Sequence, residues 1–425
     1  MGQHDYHVTD PNRLLKNTLA VVLAGGRGTR LPYLTENESK PAVPFGGNFR
    51  LIDFPLSNCI NSGVRRVAVV TQHKAHTLIK HVQRGWGFLR SEFGEYIEVW
   101  PAQPQTRDES WYSGTADAVF QNLSTIREHA PAHVLILGGD HVYKQDYGIM
   151  LAEHVARRAD LTVACTEVPR EEAASFGVIA ADGEGRILDF QEKPEDPAAV
   201  PGDPHHAFVS MGVYVFSGEC MHEQLKRDAL MAESSHDFGR DVLPFMVPRH
   251  RVMAHRFDES CVRGPGTREA YWRDVGTLDA YWKANLDLTS VTPALDLYDT
   301  EWPIWTYEPQ RPAAKFLFDE GNRRGTATNS VVAAGCVVSG ATVRRCLLFR
   351  DVRVNSYALV EDSVVLPGAE IGRSCRIKKA IIGADCRVPE GTVVGEDPAR
   401  DAKLFHRTDS GVTVVSAAMA TGGAR

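Results

Sequence analysis

The segment LAGGRGTRL, Leu23 to Leu31, places three glycines and two arginines directly after the apolar run TLAVVL. Glycine lets a ligand approach the backbone, and arginine offers a forked set of donors for phosphate or carboxylate oxygens. Two familiar phosphate loops do not fit, because Leu31 stands where a dinucleotide loop has its third glycine and no Gly-Lys-Ser/Thr follows Gly25. The pattern predicts an anion site, with an ordinary strand-to-helix turn as the alternative.

Further residues able to bind a phosphorylated ligand lie in three other motifs. Lys40 stands in KPAVPFGG, and SWYSGTADAV carries Tyr112, Gly114 and Thr115 just before a predicted helix, whose free amides would favour a phosphate or a sugar oxygen. Asp140 ends the apolar strand ILGGD, from where a carboxylate can reach a phosphate-bound metal. Taken singly, the Lys40 and SWYSGTADAV motifs are better explained as capped helix starts, and for Asp140 a helix N-cap is a comparably common alternative.

Two later motifs complete an ordered set. DFQEKPEDP offers Glu192 and Lys193 before a proline, and YWRDVGTLDAYW offers Asp274 among aromatic residues. A lone lysine or aspartate in a loop is usually just solvated. The combination of glycine loop, strand-end aspartate, loop lysine and second aspartate, followed by a hexapeptide domain, is an ordered set and is far more informative than any single member.

The bulk composition excludes several classes of partner. The 425 residues carry 47 Lys and Arg against 54 Asp and Glu, a formal net charge of -7, with the two signs interspersed. This argues against a nucleic-acid face or a polybasic membrane patch. No apolar run reaches membrane-spanning length and the N-terminal segment lacks a signal-peptide core, so a cytoplasmic location is expected.

The eight cysteines are scattered without C-x-x-C pairs and are predicted to be reduced, mostly buried thiols rather than zinc ligands or disulfides. They are Cys59, Cys165, Cys220, Cys261, Cys336, Cys346, Cys375 and Cys386.

The first two thirds of the chain alternates strand and helix patterns. TLAVVLAGG, RRVAVVTQ, HVLILGGD and LTVACTEV read as short buried strands of a parallel sheet, and HTLIKHVQRGW and TADAVFQNLSTIREHA have helical spacing. This predicts a Rossmann-like, doubly wound α/β domain over residues 1–289, with the glycine loop and GGDH at the carboxyl ends of the strands, where such sheets bind ligands.

A change of rhythm marks a second domain. Residues 290–313 contain four prolines and several aromatic residues and are predicted to be a linker. In residues 314–425 aliphatic residues recur every five or six positions, which favours a hexapeptide-type parallel β-helix over a β-sandwich. The repeating positions are Val332, Val338, Val343, Leu348, Val354, Leu359, Val365, Ile371, Ile377, Ile382, Val388 and Val394.

Over essentially its whole length the sequence resembles the bacterial glucose-1-phosphate adenylyltransferases, or ADP-glucose pyrophosphorylases. The resemblance rests on ordered motifs that include LAGGRGTRL, KPAVPFGG, WYSGTADAV, GGDHVYKQDY, EKP, SMGVYVF, SSHDFG, YWRDVGTLDAYW and WPIWTY. The glycine loop and EKP also occur in nucleotidyltransferases for other sugars, whereas WYSGTADAV, SSHDFG and YWRDVGT narrow the match to the adenylyl branch.

The resemblance implies an enzyme that joins ATP and α-D-glucose 1-phosphate into ADP-glucose and diphosphate, the committed step of glycogen synthesis. It also implies Mg²⁺, small anionic effectors, a homotetramer and a left-handed β-helix. Because a phosphate dianion is already ionised at neutral pH, positioning and charge neutralisation would carry the catalysis without a protein nucleophile.

The resemblance also assigns roles to individual residues. Asp140 and Asp274 would hold Mg²⁺, and Lys193 would neutralise the phosphate of the sugar. The residues expected in catalysis are Arg27, Arg30, Lys40, Asp140, Lys193 and Asp274. The residues expected around glucose 1-phosphate are Tyr112, Gly177, Glu192, Lys193 and Ser210. Those expected around the nucleotide are Leu23, Ala24, Gly25, Gly26, Gly28, Thr29, Arg30, Gln103, Gly114 and Thr115.

The sequence departs from the family at positions linked to regulation. Asn37 and Glu38 stand where a basic pair is common, Pro44 where some members have histidine, and Glu128 where some have arginine, although Arg50 is retained. The identity of the effector is therefore left open. Two smaller departures are Pro104, where well-known members have glutamine, and Arg240, where lysine is usual.

Three rival functions are compared with this resemblance by their sequence requirements. A β-helix acetyltransferase usually needs a histidine base, and residues 321–400 contain no histidine. A preference for another nucleoside triphosphate is opposed only by the adenylyl-branch motifs. A non-catalytic regulatory subunit would be expected to have lost its arginines or aspartates, whereas this sequence keeps them.

Overall fold

The computed structural model describes residues 11–26, 28–102, 111–264, 267 and 269–422. The helices are α1 (Pro11–Lys16), α2 (Asp53–Asn61), α3 (His76–Gly85), α4 (Thr115–Phe120), α5 (Leu123–Glu128), α6 (Tyr147–Ala156), α7 (Arg170–Ala173), α8 (Gly218–Ala229), α9 (Leu243–Met246), α10 (Phe257–Ser260), α11 (Leu278–Asp287), α12 (Pro398–Leu404) and α13 (Ala417–Gly422).

The strands preceding residue 290 are β1 (Thr18–Ala24), β2 (Pro44–Phe45), β3 (Phe49–Arg50), β4 (Arg66–Thr71), β5 (Tyr96–Pro101), β6 (His133–Gly138), β7 (His141–Tyr143), β8 (Leu161–Pro169), β9 (Gly177–Ala181), β10 (Ile187–Glu192), β11 (His206–Ser217), β12 (Val252–Arg256) and β13 (Trp272–Asp274). The four predicted strands are confirmed as β1, β4, β6 and β8. The predicted helix HTLIKHVQRGW is confirmed as α3.

A nine-stranded sheet organises this α/β part of the chain. Its path runs β10-β9-β11-β6-β1-β4-β5, and β8 and β12 extend it beside β11. Strands β5, β4, β1 and β6 are parallel. Of these, β1, β4 and β6 are apolar runs that are mostly buried, as is typical of parallel strands covered on both faces. The sheet is mixed rather than wholly parallel, since β11 runs antiparallel between β6 and β8.

The segment TADAVFQNLSTIREHA, predicted as one helical segment, is divided into α4 and α5. The break falls at Gln121 and Asn122. The Asn122 amide donates to the Ala118 carbonyl at 2.8 Å and to the Tyr112 hydroxyl at 3.2 Å. An asparagine that bonds locally to the backbone competes with helix continuation.

The remaining strands are β14 (Lys315–Leu317), β15 (Asp319–Glu320), β16 (Arg323–Arg324), β17 (Thr326–Thr328), β18 (Val331–Val332), β19 (Val337–Ser339), β20 (Thr342–Arg344), β21 (Leu347–Leu348), β22 (Arg353–Val354), β23 (Leu359–Glu361), β24 (Val364–Val365), β25 (Glu370–Ile371), β26 (Arg376–Lys378), β27 (Ala380–Ile382), β28 (Arg387–Val388), β29 (Val393–Val394), β30 (His406–Arg407) and β31 (Thr413–Val415).

Most of these short strands stack into three sheets that form a left-handed parallel β-helix, as predicted, whereas β15 and β16 form a separate antiparallel pair and β30 pairs antiparallel with β31. Val338, Val354, Ile371 and Val388 pair in succession along one sheet and are buried. Two of the predicted core positions, Val332 and Leu359, are only partly buried, and the second is wrong by a single residue. Leu359 is only partly buried, and Val360 occupies the interior instead, because successive strand residues face opposite sides.

Residues 288–314 contain neither helix nor strand and pack against α2. The Trp302 indole donates to Asn58 Oδ1 at 3.0 Å, and the Trp305 amide donates to Ser57 Oγ at 2.8 Å. The division at residues 289 and 313 stays a prediction.

The described residues include all eight cysteines, which are free thiols; seven are buried and Cys261 is partly buried. The described part of the chain has no helix with both the length and the apolar character needed to span a bilayer.

The β-helix depends on its interior aliphatic residues. We expect Ile377→Ala to destabilise it by about 2–5 kcal/mol, because the substitution removes buried methyl groups and leaves a cavity. Lys378→Ala, on the exposed side of the same strand, serves as the control and should change stability by about 0.5 kcal/mol or less. Urea unfolding followed by circular dichroism measures both. Equal losses would contradict the interior position of Ile377.

Candidate functional site

The glycine loop begins where β1 ends, at the carboxyl edge of the sheet. Gly28 has φ of +63°, and a Cβ there would lie 2.7 Å from Thr35 Cγ2 and 3.1 Å from Lys40 Cβ. The loop therefore needs glycine at this position both for its backbone conformation and for its close approach to Lys40. Around Gly26 a Cβ would meet no atom within 4 Å, so this part of the loop is open to a ligand. Arg27 and Gln103 lie outside the described residues.

Lys40 lies between the two predicted metal-binding aspartates. Its Nζ is 2.9 Å from Asp140 Oδ2 and 2.9 Å from Asp274 Oδ1. The side chain of Arg30 is exposed, and its Nη2 lies 3.9 Å from Asp274 Oδ2. His141 Nε2 lies 3.6 Å from Asp140 Oδ1 and 4.0 Å from Asp274 Oδ1.

A short antiparallel ladder joins the two aspartates. Strand β7 follows Asp140 directly and pairs with β13, with His141 opposite Asp274 and Tyr143 opposite Trp272. The turn at Gly139 carries Asp140, so the proposed alternative of a helix cap does not apply to it. The ladder thus places two carboxylates from distant parts of the chain on either side of one ammonium group.

Lys40, Asp140 and Asp274 form a charged trio. Burial and the neighbouring charges shift the pKa values of Lys40 and Asp140 in opposite directions. Burial lowers the pKa of Lys40, but the neighbouring Asp140 and Asp274 carboxylates raise it more, so the net shift is upward. For Asp140, burial raises the pKa, while Lys40 and His141 lower it to about 2. Lys40 and Asp140 therefore stay ionised across the physiological pH range.

The trio suits a hard divalent cation. One ammonium and two carboxylates sum to a net charge of -1, which leaves negative charge for a cation to neutralise. Carboxylate and phosphate oxygens are the ligands that Mg²⁺ prefers. Asp140 and Asp274 are thus the residues that would hold such an ion, which would share their oxygens with Lys40.

The predicted sugar-site residues form a second group at the same end of the sheet. Glu192 pairs with Gly177 across β10 and β9. A Cβ on Gly177 would lie 2.5 Å from Phe190 and 3.0 Å from Glu192 Oε2, so glycine makes room for both side chains. Lys193 donates to Glu192 Oε1 at 2.8 Å, and half of its side chain is exposed.

Ser210 is buried, and its hydroxyl lies 3.4 Å from the Tyr214 hydroxyl. Between these two residues the register of β11 shifts at Gly212, which has φ of +69°.

The loop before α4 is fixed by a segment from much later in the chain. Thr115 Oγ1 donates to Asp237 Oδ2 at 2.9 Å and accepts from the Phe238 amide at 3.0 Å. The amides of Ala116 and Asp117 donate to the His236 carbonyl. The expectation that free amides of this helix would bind the ligand is therefore wrong for these two amides, which are already used.

These elements enclose a cleft of about 420 Å³. Of the predicted residues it brings together Leu23, Gly25, Gly26, Tyr112, Gly114, Thr115, Asp140 and Glu192. Predicted residues that do not line it are Ala24, Gly28, Thr29, Arg30, Lys40, Gly177, Lys193, Ser210 and Asp274. Lys40 contacts the lining residue Asp140, and Asp274 contacts Lys40. Lys193 contacts the lining residue Glu192. A separate cleft of about 650 Å³ borders the other side of Asp274.

Several lining residues were missed by residue-level reasoning. They are Pro41, Val70, Gln72, Ala118, Gly138, Gly212, Tyr214, Asp237, Phe238 and Gly239. The motifs SMGVYVF and SSHDFG contain five of them, so the signal was present, but no local chemistry singled out a residue within them. Gly239 shows why glycine is needed there, since a Cβ would lie 2.6 Å from Glu192 Oε2.

Comparison with known proteins gives the class first. Residues 19–291 match the family described as Nucleotidyl transferase, and residues 312–415 match the GlmU-like C-terminal hexapeptide family. The chain is a nucleotidyltransferase with a hexapeptide β-helix.

Curated relatives then give the particular family. The chain is 61% identical over 407 residues to the glucose-1-phosphate adenylyltransferase of Rhodospirillum rubrum, covering 96% of each chain. It is 59% identical to the protein of that name from Paramagnetospirillum magneticum, over 96% of this chain and 95% of the relative. It is 55% identical to the protein of that name from Dechloromonas aromatica, over 97% of this chain and 94% of the relative. The chain belongs to the glucose-1-phosphate adenylyltransferase family.

Removing the Lys40 ammonium tests whether it stabilises the Asp140 and Asp274 carboxylates. We expect Lys40→Met to destabilise the fold by about 1–3 kcal/mol at pH 7, because two partly buried carboxylates lose their cation. The pKa of Asp140 then rises, so the penalty applies above its folded-state pKa and fades as the pH falls and the carboxyl is protonated. Thermal unfolding at pH 7 and pH 4 measures this change. The double variant Lys40→Met with Asp140→Asn should recover stability at pH 7, and failure to recover any would contradict the coupling.

Proposed function

We propose that this chain transfers the adenylyl group of ATP to α-D-glucose 1-phosphate, forming ADP-glucose and diphosphate. The observation that carries the proposal is the convergence of Lys40, Asp140 and Asp274 beside a glycine-lined cleft, in a chain 61% identical to a glucose-1-phosphate adenylyltransferase. In this reaction an oxygen of the sugar phosphate attacks the α-phosphorus of ATP. The new P–O bond forms as the bond to the β-phosphate bridging oxygen breaks, and diphosphate leaves with that electron pair.

The nucleotide half of the site is assigned to the glycine loop. Gly25 and Gly26 let the triphosphate approach the backbone, and Arg30 faces its outer phosphates. Lys40 holds a positive charge at the rim, where its raised pKa keeps it protonated. Arg27, Gln103, Leu23, Ala24, Gly28, Thr29, Gly114 and Thr115 keep their assignment to this half as part of the proposal.

The sugar half is assigned to the other side of the same cleft. Glu192 accepts from sugar hydroxyls, and its ion pair with Lys193 directs the lysine ammonium toward the sugar phosphate. Tyr112, Gly177 and Ser210 shape the pocket around the ring. Since the attacking phosphate is already ionised, these residues act by orienting it and by neutralising charge.

Mg²⁺ is the cation that we propose for Asp140 and Asp274. It supplies neutralisation of charge on the phosphate oxygens when bound. The two aspartates fix its place relative to the glycine loop, since both are anchored by the β7–β13 ladder.

Regulation and assembly complete the proposal. We expect a cytoplasmic homotetramer of glycogen synthesis that responds to small anionic effectors. Arg50, the retained basic residue, is paired with Glu38 at 3.0 Å, so part of the charge that would attract an anion is neutralised within the chain. Phosphorylated effectors should therefore bind weakly at Arg50.

The decisive experiment measures diphosphate release by the purified protein with Mg²⁺ and glucose 1-phosphate. ATP is compared with UTP, dTTP, CTP and GTP, each with and without fructose 6-phosphate, fructose 1,6-bisphosphate or pyruvate. A strong preference for ATP supports the proposal. Turnover with another nucleotide would indicate a different sugar nucleotide synthesis. Inactivity under every condition would instead favour a regulatory subunit.

Lys193 tests the sugar half. We expect Lys193→Ala to raise the KM for glucose 1-phosphate at least about tenfold while the KM for ATP changes little, because one charge-assisted contact is lost on the sugar side only. Initial rates at varied concentrations of each substrate measure the split. Lys80→Ala, which removes an exposed lysine from α3, is the charge-matched control. An unchanged KM for glucose 1-phosphate would refute the assignment.

A substitution of Asp140 tests the proposed metal site. We expect Asp140→Asn to lower kcat roughly 100-fold or more at saturating substrates, since the amide keeps the shape but not the charge. Steady-state rates over a Mg²⁺ titration provide the measurement. Asp189→Asn, an exposed aspartate of β10, is the control. Near-normal turnover of Asp140→Asn would exclude Asp140 as a metal ligand.

A further inference from the structure

A second cluster of metal-binding residue types lies at the opposite edge of the large sheet from the cleft. It comprises Asp160, Cys220 and His250, whose ligand atoms all lie within 4.8 Å of one another. Asp160 directly precedes β8, and Ser217 at the end of β11 pairs with His133 at the start of β6. The cleft lies at the other end of β6, so the two sites are separated by the length of a strand.

The backbone holds the three residues in place. The Asp160 amide donates to the Arg251 carbonyl at 3.0 Å, and the Arg251 amide donates to Asp160 Oδ2 at 2.8 Å. The Ser217 amide donates to the Asp160 carbonyl at 3.0 Å. The three ligands therefore come from the ends of hydrogen-bonded strands and from the first turn of α8, which are rigid elements.

The distances match those around a tetrahedral ion. His250 Nδ1 lies 3.9 Å from Cys220 Sγ and 3.6 Å from Asp160 Oδ2. Zinc bonds of about 2.3 Å to sulfur and about 2.0–2.1 Å to nitrogen or oxygen, at tetrahedral angles, separate sulfur from nitrogen by roughly 3.6 Å and nitrogen from oxygen by roughly 3.4 Å. The third separation, between Cys220 Sγ and the Asp160 carboxylate, is within 4.8 Å, so the side chains must move closer together to share one ion.

A second group of similar composition differs because its histidine nitrogens already make hydrogen bonds within the protein. Glu153, His255 and Glu259 also lie within reach of one another. There His255 is fully buried, its Nδ1 is bonded to Glu153 and its Nε2 to Ser260 at 2.7 Å. Both ring nitrogens are already used, so a cation would have to break two buried hydrogen bonds. The Asp160 cluster has looser contacts and meets solvent.

Access and donor chemistry favour the Asp160 cluster. The side chains of His250 and Asp160 are 24% and 41% exposed, whereas Cys220 is buried beneath them. Solvent can therefore deliver an ion and fill a fourth position. Thiolate, imidazole and carboxylate together suit Zn²⁺ better than Mg²⁺ or Ca²⁺, which prefer all-oxygen sites.

We propose that Asp160, Cys220 and His250 bind one Zn²⁺ ion, with water in the fourth position, at a site separate from the substrate cleft. Binding replaces the thiol proton of Cys220, which passes to solvent. This proposal departs, for Cys220 alone, from the sequence-based expectation that the cysteines are reduced thiols rather than zinc ligands.

Cobalt substitution tests the proposal in the full-length protein. After chelator treatment, Co²⁺ is titrated into the protein and absorption spectra are recorded. We expect a near-ultraviolet thiolate-to-cobalt band and visible tetrahedral bands that saturate at one ion per chain, and that Zn²⁺ abolishes. Co²⁺ at Asp140 and Asp274 has only oxygen ligands and gives no thiolate band, so the readout is independent of the proposed catalytic function.

Matched variants identify the ligands. Cys220→Ser should lose the thiolate band, and His250→Gln should weaken binding by more than the roughly 10–100-fold typical of losing a metal's outer-shell partner. Cys261→Ser and Asp140→Asn should keep the band. Circular dichroism establishes that each variant is folded. A wild-type protein without the band, or a band that survives Cys220→Ser, would overturn the proposal.

Discussion

The candidate site depends on one electrostatic constraint, the position of the Lys40 ammonium between the carboxylates of Asp140 and Asp274. Two carboxylates this close would repel each other without a cation, and burial would strengthen the repulsion. The lysine removes that penalty and ties three distant segments together. The β7–β13 ladder supplies the backbone geometry, because its register places Asp274 opposite the residue after Asp140. Charge balance and strand pairing therefore depend on each other.

The loop carrying Lys40 also contacts the β-helix. Phe45, a few residues later, belongs to a buried cluster that includes Tyr281 of α11 and Leu347 and Phe349 of the β-helix. The Tyr281 hydroxyl donates to the Pro44 carbonyl at 2.6 Å. These contacts connect the β-helix to the segment that carries Lys40. This gives the C-terminal repeats a physical route to the site, beyond their own stability.

Much of the fold could be predicted because its signals are local. Buried strands such as β1 and β6 are continuous apolar runs, and the β-helix repeats its aliphatic residues at a fixed interval. The errors arose at positions whose burial or role is set by contacts with residues far away in sequence. Leu359 and Val360 are equally apolar, so only the stacking of neighbouring coils selects which faces inward. Likewise, Asp237 and Gly239 could not be singled out, because their roles come from Thr115 and Glu192, far away in sequence.

The amides at the start of α4 show how the site gains its specificity. A free helix terminus would attract many anions through its backbone. Here the amides of Ala116 and Asp117 are bonded to the His236 carbonyl, and Asp237 holds Thr115. These two amides are therefore not available to an anion in the cleft. Because the SSHDFG segment fixes that wall of the cleft and itself contributes Asp237, Phe238 and Gly239 to the lining, a change in this segment would alter the cleft both directly and through the position of Gly114.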